Sequence, residues 1–292
     1  MYWTILYMVG VSLFMLLHRL WFSPDQFVVF AMIGVVFLGR GKAFVRDWAP
    51  FLLFYFAYEF LRGIVPIVNH YVHIWPMIRF DETVFGGIPD VFLQSHLYTP
   101  GAIHWYDYLA VTSYISYFVV PMLAAYAFWL YDRATFLQFS RAFLYLAYAA
   151  FATYILFPAM PPWMAAQAGY IPPIVEITPT VMAHFFPATP LPSLYNFLRA
   201  NPVAAMPSLH AAMPFLVLLY MVRKWKKWGW LVLPYVISVW FAVLYLGEHY
   251  VLDVLVGSIY AGGVFWVTTR TRPVRKEKYT LDLAEEVEDV RV

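Results

Sequence analysis

The sequence predicts an all-α fold, a polytopic membrane helix bundle of about eight transmembrane helices. Three observations predict it. The chain of 292 residues is 63% hydrophobic and only 12% charged, whereas a soluble domain carries about 25% charged residues. Its apolar residues gather into runs near the roughly 20 residues that a helix needs to cross a bilayer. Its basic residues collect in alternate connections between those runs, the pattern of a chain that weaves through a membrane.

Eight runs qualify as spans, at 3–20, 27–39, 48–68, 105–131, 137–157, 208–222, 229–246 and 250–268. The first two make an N-terminal helical hairpin within residues 1–47, the second being short enough to tilt or re-enter. The first run lacks a basic flank before it and a small-residue cleavage site after it, so it does not read as a signal peptide. From 48 to 272 the chain reads as one membrane domain with a six-helix core. An insertion at 69–104 carries Phe80-Asp81-Glu82 and the turn-forming Gly86-Gly87-Ile88-Pro89-Asp90. The fifth run closes on Phe157-Pro158-Ala159-Met160-Pro161-Pro162-Trp163, where prolines stop the helix. A second insertion, 158–206, is rich in proline and aromatic residues, which suits a cap lying on the membrane interface. Residues 273–292 form a polar tail, basic and then acidic.

Charge sets the orientation. With eight spans, one side receives Arg40, Lys42, Arg46, Arg133, Arg141, Arg223, Lys224, Lys226, Lys227 and the basic tail from Arg270 to Arg291, which is 15 of the 19 Lys and Arg residues. The positive-inside rule makes that side cytoplasmic. The other side receives Arg19, Arg62, Arg79 and Arg199, together with all eight histidines. A multi-pass cell-membrane protein with its working face on the extracytoplasmic side follows. Zero cysteines exclude disulfides and thiolate chemistry. The basic loops answer to topology and anionic lipid, and nothing supports nucleic-acid binding.

Two motifs carry the chemistry. His249 and Asp253 in Gly247-Glu248-His249-Tyr250-Val251-Leu252-Asp253 are four residues apart and share one helix face. A carboxylate there can fix the tautomer of the imidazole and free its other nitrogen. Gly257 continues that face and would let a neighbouring helix come close. The second motif, Met206-Pro207-Ser208-Leu209-His210, opens the run at 208–222 with helix start signals. The amide groups of a helix start, with the Ser208 hydroxyl, form an anion site, and His210 sits beside it. Each motif also has a plainer reading: an interfacial histidine with a capping aspartate, and an ordinary N-cap. Trp163 is either an interface anchor or a wall for an acyl chain. No further His, Asp or Glu grouping has ligand spacing, so neither a metal nor another cofactor is implied.

In this order, the Pro-Pro-Trp, Pro-Ser-Leu-His and His-Tyr-x-x-Asp segments resemble the type 2 phosphatidic acid phosphatase superfamily, and most of all its inositol phosphorylceramide synthase-like, inositol phosphotransferase branch. The Phe85-Gly86-Gly87 turn and the helix starting at Trp105-Tyr106-Asp107 also fit bacterial members. The resemblance implies that His249 is the nucleophile that forms a phosphohistidine and that Asp253 orients it. It implies that His210 protonates the leaving alkoxide and then deprotonates the incoming hydroxyl, and that Ser208 donates to the phosphate. It also implies a phospholipid donor and a lipid-hydroxyl acceptor. If water is the acceptor, the enzyme is instead a lipid phosphate or polyprenyl diphosphate phosphatase. A non-enzymatic lipid-binding or transport protein is the remaining alternative.

The departures from the family are informative. The wider superfamily has a lysine and an Arg-Pro in its first motif and an arginine six residues before the nucleophile. Here the stretch before Pro158 lacks basic residues and the second position is Val243. Phosphoryl transfer depends on electrostatic stabilisation, so another cation must compensate. Arg62 is the first candidate, either on the phosphate or in an ion pair with Glu59; Arg199 is a weaker one. Glu248 adds a negative charge beside His249, where it either raises the histidine's pKa or serves a head group.

Overall fold

A computed structural model describes residues 41–62, 65–185 and 201–270. The expected N-terminal hairpin up to residue 40, Arg199 and the tail lie outside the described residues. The first described helix, α1 (Gly41–Arg62), begins inside the hairpin region and is followed by the single turn α2 (Val65–Val68). The insertion at 69–104 is not an open loop. It folds into α3 (Trp75–Phe85) and α4 (Pro89–Leu97), each opened by a proline in its first turn, where the missing amide hydrogen costs nothing. Between them Gly86 adopts φ 74°, the left-handed conformation that ends α3.

Next come α5 (Trp105–Tyr131) and α6 (Arg133–Leu156). One residue separates them: Asp132, whose carboxylate accepts the Ala134 and Thr135 amides at 3.1 and 3.2 Å and caps α6. This cap is why α6 starts four residues ahead of the expected run at 137. The second insertion contributes α7 (Pro162–Gln167) and α8 (Ile177–Phe185). Then follow α9 (Leu209–Trp225), a 3₁₀ segment (Lys226–Val232), α10 (Leu233–Tyr245) and α11 (Val251–Arg270). Helix α9 runs through Pro214 without ending. Among the described residues, four helical stretches, Trp105–Tyr131, Arg133–Leu156, Leu209–Tyr245 and Val251–Arg270, are long and apolar enough to cross a membrane.

Helix α9 is central and packs on α5, α6, α10 and α11, while α1 packs on α6. Fully buried Trp48, Phe128, Phe136, Phe139 and Tyr220 knit these helices together. The outward faces are apolar too: Leu53, Phe54, Leu123, Leu156, Ile237, Leu255 and Ile259 are exposed. Contiguous apolar surface of this kind belongs against lipid, and the molecule is a helical membrane bundle. At one end, the Asp47 carboxylate accepts two bonds from the Arg133 guanidinium, both at 2.7 Å, and Lys224 pairs with Asp132. The opposite end gathers the starts of α5, α9 and α11 with the ends of α6 and α10, and both insertions cover it.

Candidate active site

The floor of the site is a close helix approach. A Cβ added at Gly257 would stand 2.4 Å from the Ser208 carbonyl oxygen. Only glycine lets α11 and the start of α9 come this near, as the spacing from His249 and Asp253 suggested. The Ser208 amide donates to the Asp253 carbonyl at 3.0 Å. The Tyr154 hydroxyl, from α6, donates to the Pro207 carbonyl at 2.8 Å. Three helices thus fix the Pro207–His210 turn. Ser208 is fully buried and caps α9, its oxygen accepting the Ala211 amide at 3.3 Å.

The two histidines meet across this floor. His210 Nδ1 and His249 Nε2 are 3.0 Å apart. His249 Nδ1 lies 2.9 Å from the Ala205 carbonyl oxygen. A carbonyl only accepts, so Nδ1 carries the hydrogen and Nε2 presents its lone pair toward His210. Asp253 Oδ2 stands 3.7 Å from Nδ1, an ion-pair distance beyond hydrogen-bond length. The same oxygen accepts the Tyr250 amide at 2.9 Å. The tautomer is therefore held by Ala205, with the fully buried Asp253 carboxyl close by. Both insertions set the Ala205 carbonyl in place. The His73 amide donates to Pro158, the Met160 amide to His73, the Ala159 amide to Val203 and the Ala205 amide to Ala159.

Aromatic rings hold His210. Tyr114 stacks on it with centroids 4.2 Å apart, and Tyr117 crosses it at 3.9 Å. Glu248 accepts the Thr178 hydroxyl at 2.6 Å and also bonds Tyr114. Burial is the main cause that pushes the Glu248 carboxyl up to about 7. Gly247, with φ 78°, needs its lack of a side chain: a Cβ would stand 3.1 Å from the Val175 carbonyl and 3.3 Å from Gln94. The Gly247 carbonyl accepts the Trp163 amide at 3.0 Å, which ties the start of α7 to the loop before His249.

A family model described as the PAP2 superfamily matches residues 77–267. That is well over half of the chain. The chain belongs to the PAP2 superfamily. It is also similar to the phosphoinositol dihydroceramide synthase of Bacteroides thetaiotaomicron, at 29% identity over 182 residues, or 59% of each chain. The matched part therefore spans less than two thirds of that relative. No solved structure matches.

Within this PAP2 member, Ser208, His210, Glu248, His249 and Asp253 converge, and the Trp163 backbone abuts the Glu248–His249 loop. Arg62 pairs with Glu59 at 3.0 Å, and Glu59 in turn accepts the Tyr55 hydroxyl at 2.8 Å. The Arg62 charge still acts on His210 and Tyr154. Sequence reading did not single out Ala205, Tyr114, Tyr117 or Thr178. Ala205 acts through its backbone, which has no residue signature. The tyrosines' only signal is their spacing of three on α5, which puts them on one face.

Proposed function

We propose that this protein is an integral-membrane phosphotransferase that moves a phospho-head group from a phospholipid to a lipid hydroxyl through a phosphohistidine at His249. The observation that carries this is the Ala205 carbonyl on His249 Nδ1, which leaves the Nε2 lone pair as the nucleophile. Nε2 attacks phosphorus, the P–O bond to the glycerol backbone breaks, and His210, entering the step as the imidazolium, gives its Nδ1 proton to the leaving alkoxide and is left neutral. The 3.0 Å contact between the two rings is a resting contact. Phosphorus bonded to Nε2 takes that space, so His210 yields as substrate enters. The positive phosphoimidazole is stabilised by Asp253 and the Ala205 carbonyl. In the second half, His210 takes the proton of the acceptor hydroxyl, whose oxygen displaces Nε2 from phosphorus.

The first-turn amides of α9 and the Ser208 hydroxyl proton favour the phosphate, and Arg62 supplies the cation that the usual clamp would provide. Glu248, held by Thr178 beside the nucleophile, accepts hydroxyl hydrogens of the head group, and Trp163 walls an acyl chain. The similar Bacteroides protein is named for a phosphoinositol head group and a dihydroceramide. We carry that pairing over as donor head group and acceptor class. The site faces the extracytoplasmic side of the membrane.

The test uses purified protein in detergent with head-group-labelled phosphatidylinositol, with and without a ceramide acceptor. Labelled phosphosphingolipid that appears only with acceptor, and is absent in His249→Ala, is the expected result. Release of water-soluble phosphate products alone, indifferent to acceptor, would overturn transfer in favour of hydrolysis.

A further inference from the structure

Asp81 and Asp90 are fully buried carboxyl groups in the first insertion that the chemistry above does not use. Asp81 lies on α3, which packs against α11. Its Oδ2 accepts the Val251 amide at 3.1 Å, and its carboxylate also bonds the Leu252 amide. Both amides belong to the first turn of α11, where a helix has donors without internal partners. Val251 is two residues from His249 and two from Asp253. A helix start needs only a neutral cap, and Ser, Thr or Asn serves as well as Asp. Here a charged group is buried instead, close enough to Asp253 that the two carboxylates repel. Burial and that repulsion push the Asp81 carboxyl up to about 6, so it is ionised above neutrality. Placing two like charges in one buried region is costly and points to a use for the charge.

We infer that Asp81 is a positioning residue for the transfer centre: from the first insertion it clamps the first turn of α11, and so sets His249 and Asp253 and adds negative charge behind them. This rests on the reading of His249 as nucleophile. The groups that face Asp81 are Asp90 from α4 and Tyr250 and Asp253 from the start of α11. Burial, and after it the charges of Asp81 and Asp253, hold the Asp90 carboxyl well above the usual carboxylate range. The insertion is then part of the catalytic apparatus, because it reaches the reacting nitrogen through a helix start.

The test compares wild type, Asp81→Ala, Asp81→Asn and His249→Ala in detergent, by kcat, KM, pH profile and thermal unfolding. In Asp81→Ala, kcat should fall about 100-fold, the scale of a misplaced reacting group, with KM within about twofold. Asp81→Asn keeps an oxygen for the Val251 amide and should recover to within about tenfold of wild type. Its acid limb should move down by roughly half a pH unit, because the Asp81 carboxyl, raised to about 6 and titrating within that limb, is gone. Wild-type kcat and pH profile in a folded Asp81→Ala overturn the inference. If that variant does not fold, an unshifted acid limb in Asp81→Asn overturns it. Full turnover by His249→Ala is a separate outcome that removes the nucleophile reading instead.

Discussion

Among the residues of the site, Glu248 has the charge most open to change near neutrality. Its carboxyl is raised to about 7, first by burial and then by the charge of Glu176, against the opposing bond from Thr178. In the unfolded chain it titrates near the ordinary glutamate value. A carboxyl raised by folding contributes stability that is complete below the unfolded value and is lost as pH rises through the folded one. The protein should therefore lose stability through Glu248 between about pH 4.5 and 7. Glu248→Gln removes that loss. Thermal unfolding in detergent should show the variant gaining on wild type at pH 8 relative to pH 5, by on the order of 3 °C. His249 shows how differently two of its partners can be read. Asp253 is visible from its spacing of four along one helix. The Ala205 carbonyl, which takes the hydrogen bond, is a backbone group delivered from 44 residues away by the layering of two insertions.

Helix α11 carries the clearest test of packing at the level of one element. Gly257 touches the Ser208 backbone, whereas Gly262 and Gly263, one turn and more beyond it, have nothing within 4 Å of an added Cβ. Gly257→Ala must push α11 off the Pro207–Ser208 turn and separate the histidines, so activity should fall by about 100-fold or more. Gly262→Ala and Gly263→Ala should keep activity and gain up to about 1 kcal/mol each from helix propensity. Initial rates and melting temperatures of the three variants decide it. The later helices were legible as apolar runs, because length and hydropathy suffice for them. Their ends were less so: α6 begins at Arg133 because Asp132 caps it, and the Lys226–Val232 segment turns as a 3₁₀ helix between α9 and α10. The insertions hid four short helices, since α3, α4, α7 and α8 are stabilised by packing on the bundle rather than by their own length. Arg62 illustrates the same limit. Its i−3 spacing from Glu59 announced the ion pair that is present, but its influence on His210 depends on how α1 lies against the bundle.

At the scale of the whole molecule, chemistry and charge sit at opposite ends. The histidine pair, both insertions and exposed Trp105 mark one end; Asp47, Arg133, Lys224 and exposed Trp228 mark the other. The absence of cysteine makes this polarity directly measurable. In right-side-out cells, Trp105→Cys should react with a membrane-impermeant maleimide, and Trp228→Cys should react only after permeabilisation. The opposite pattern would put the site on the cytoplasmic side. On the proposed function, a bundle that holds its reacting groups at one rim, under a cap tied to the start of α11, draws both lipids from the bilayer while the head group stays in water. The central step proposed for that rim is the bond between phosphorus and His249. A rapid-quench experiment with phospholipid labelled at phosphorus, in the absence of acceptor, tests it most directly. An acid-labile, base-stable label on His249 should build up in wild type, be lost from His249→Ala, and discharge into product when a lipid hydroxyl is added. Turnover at the normal rate with no covalent label on the protein would contradict it.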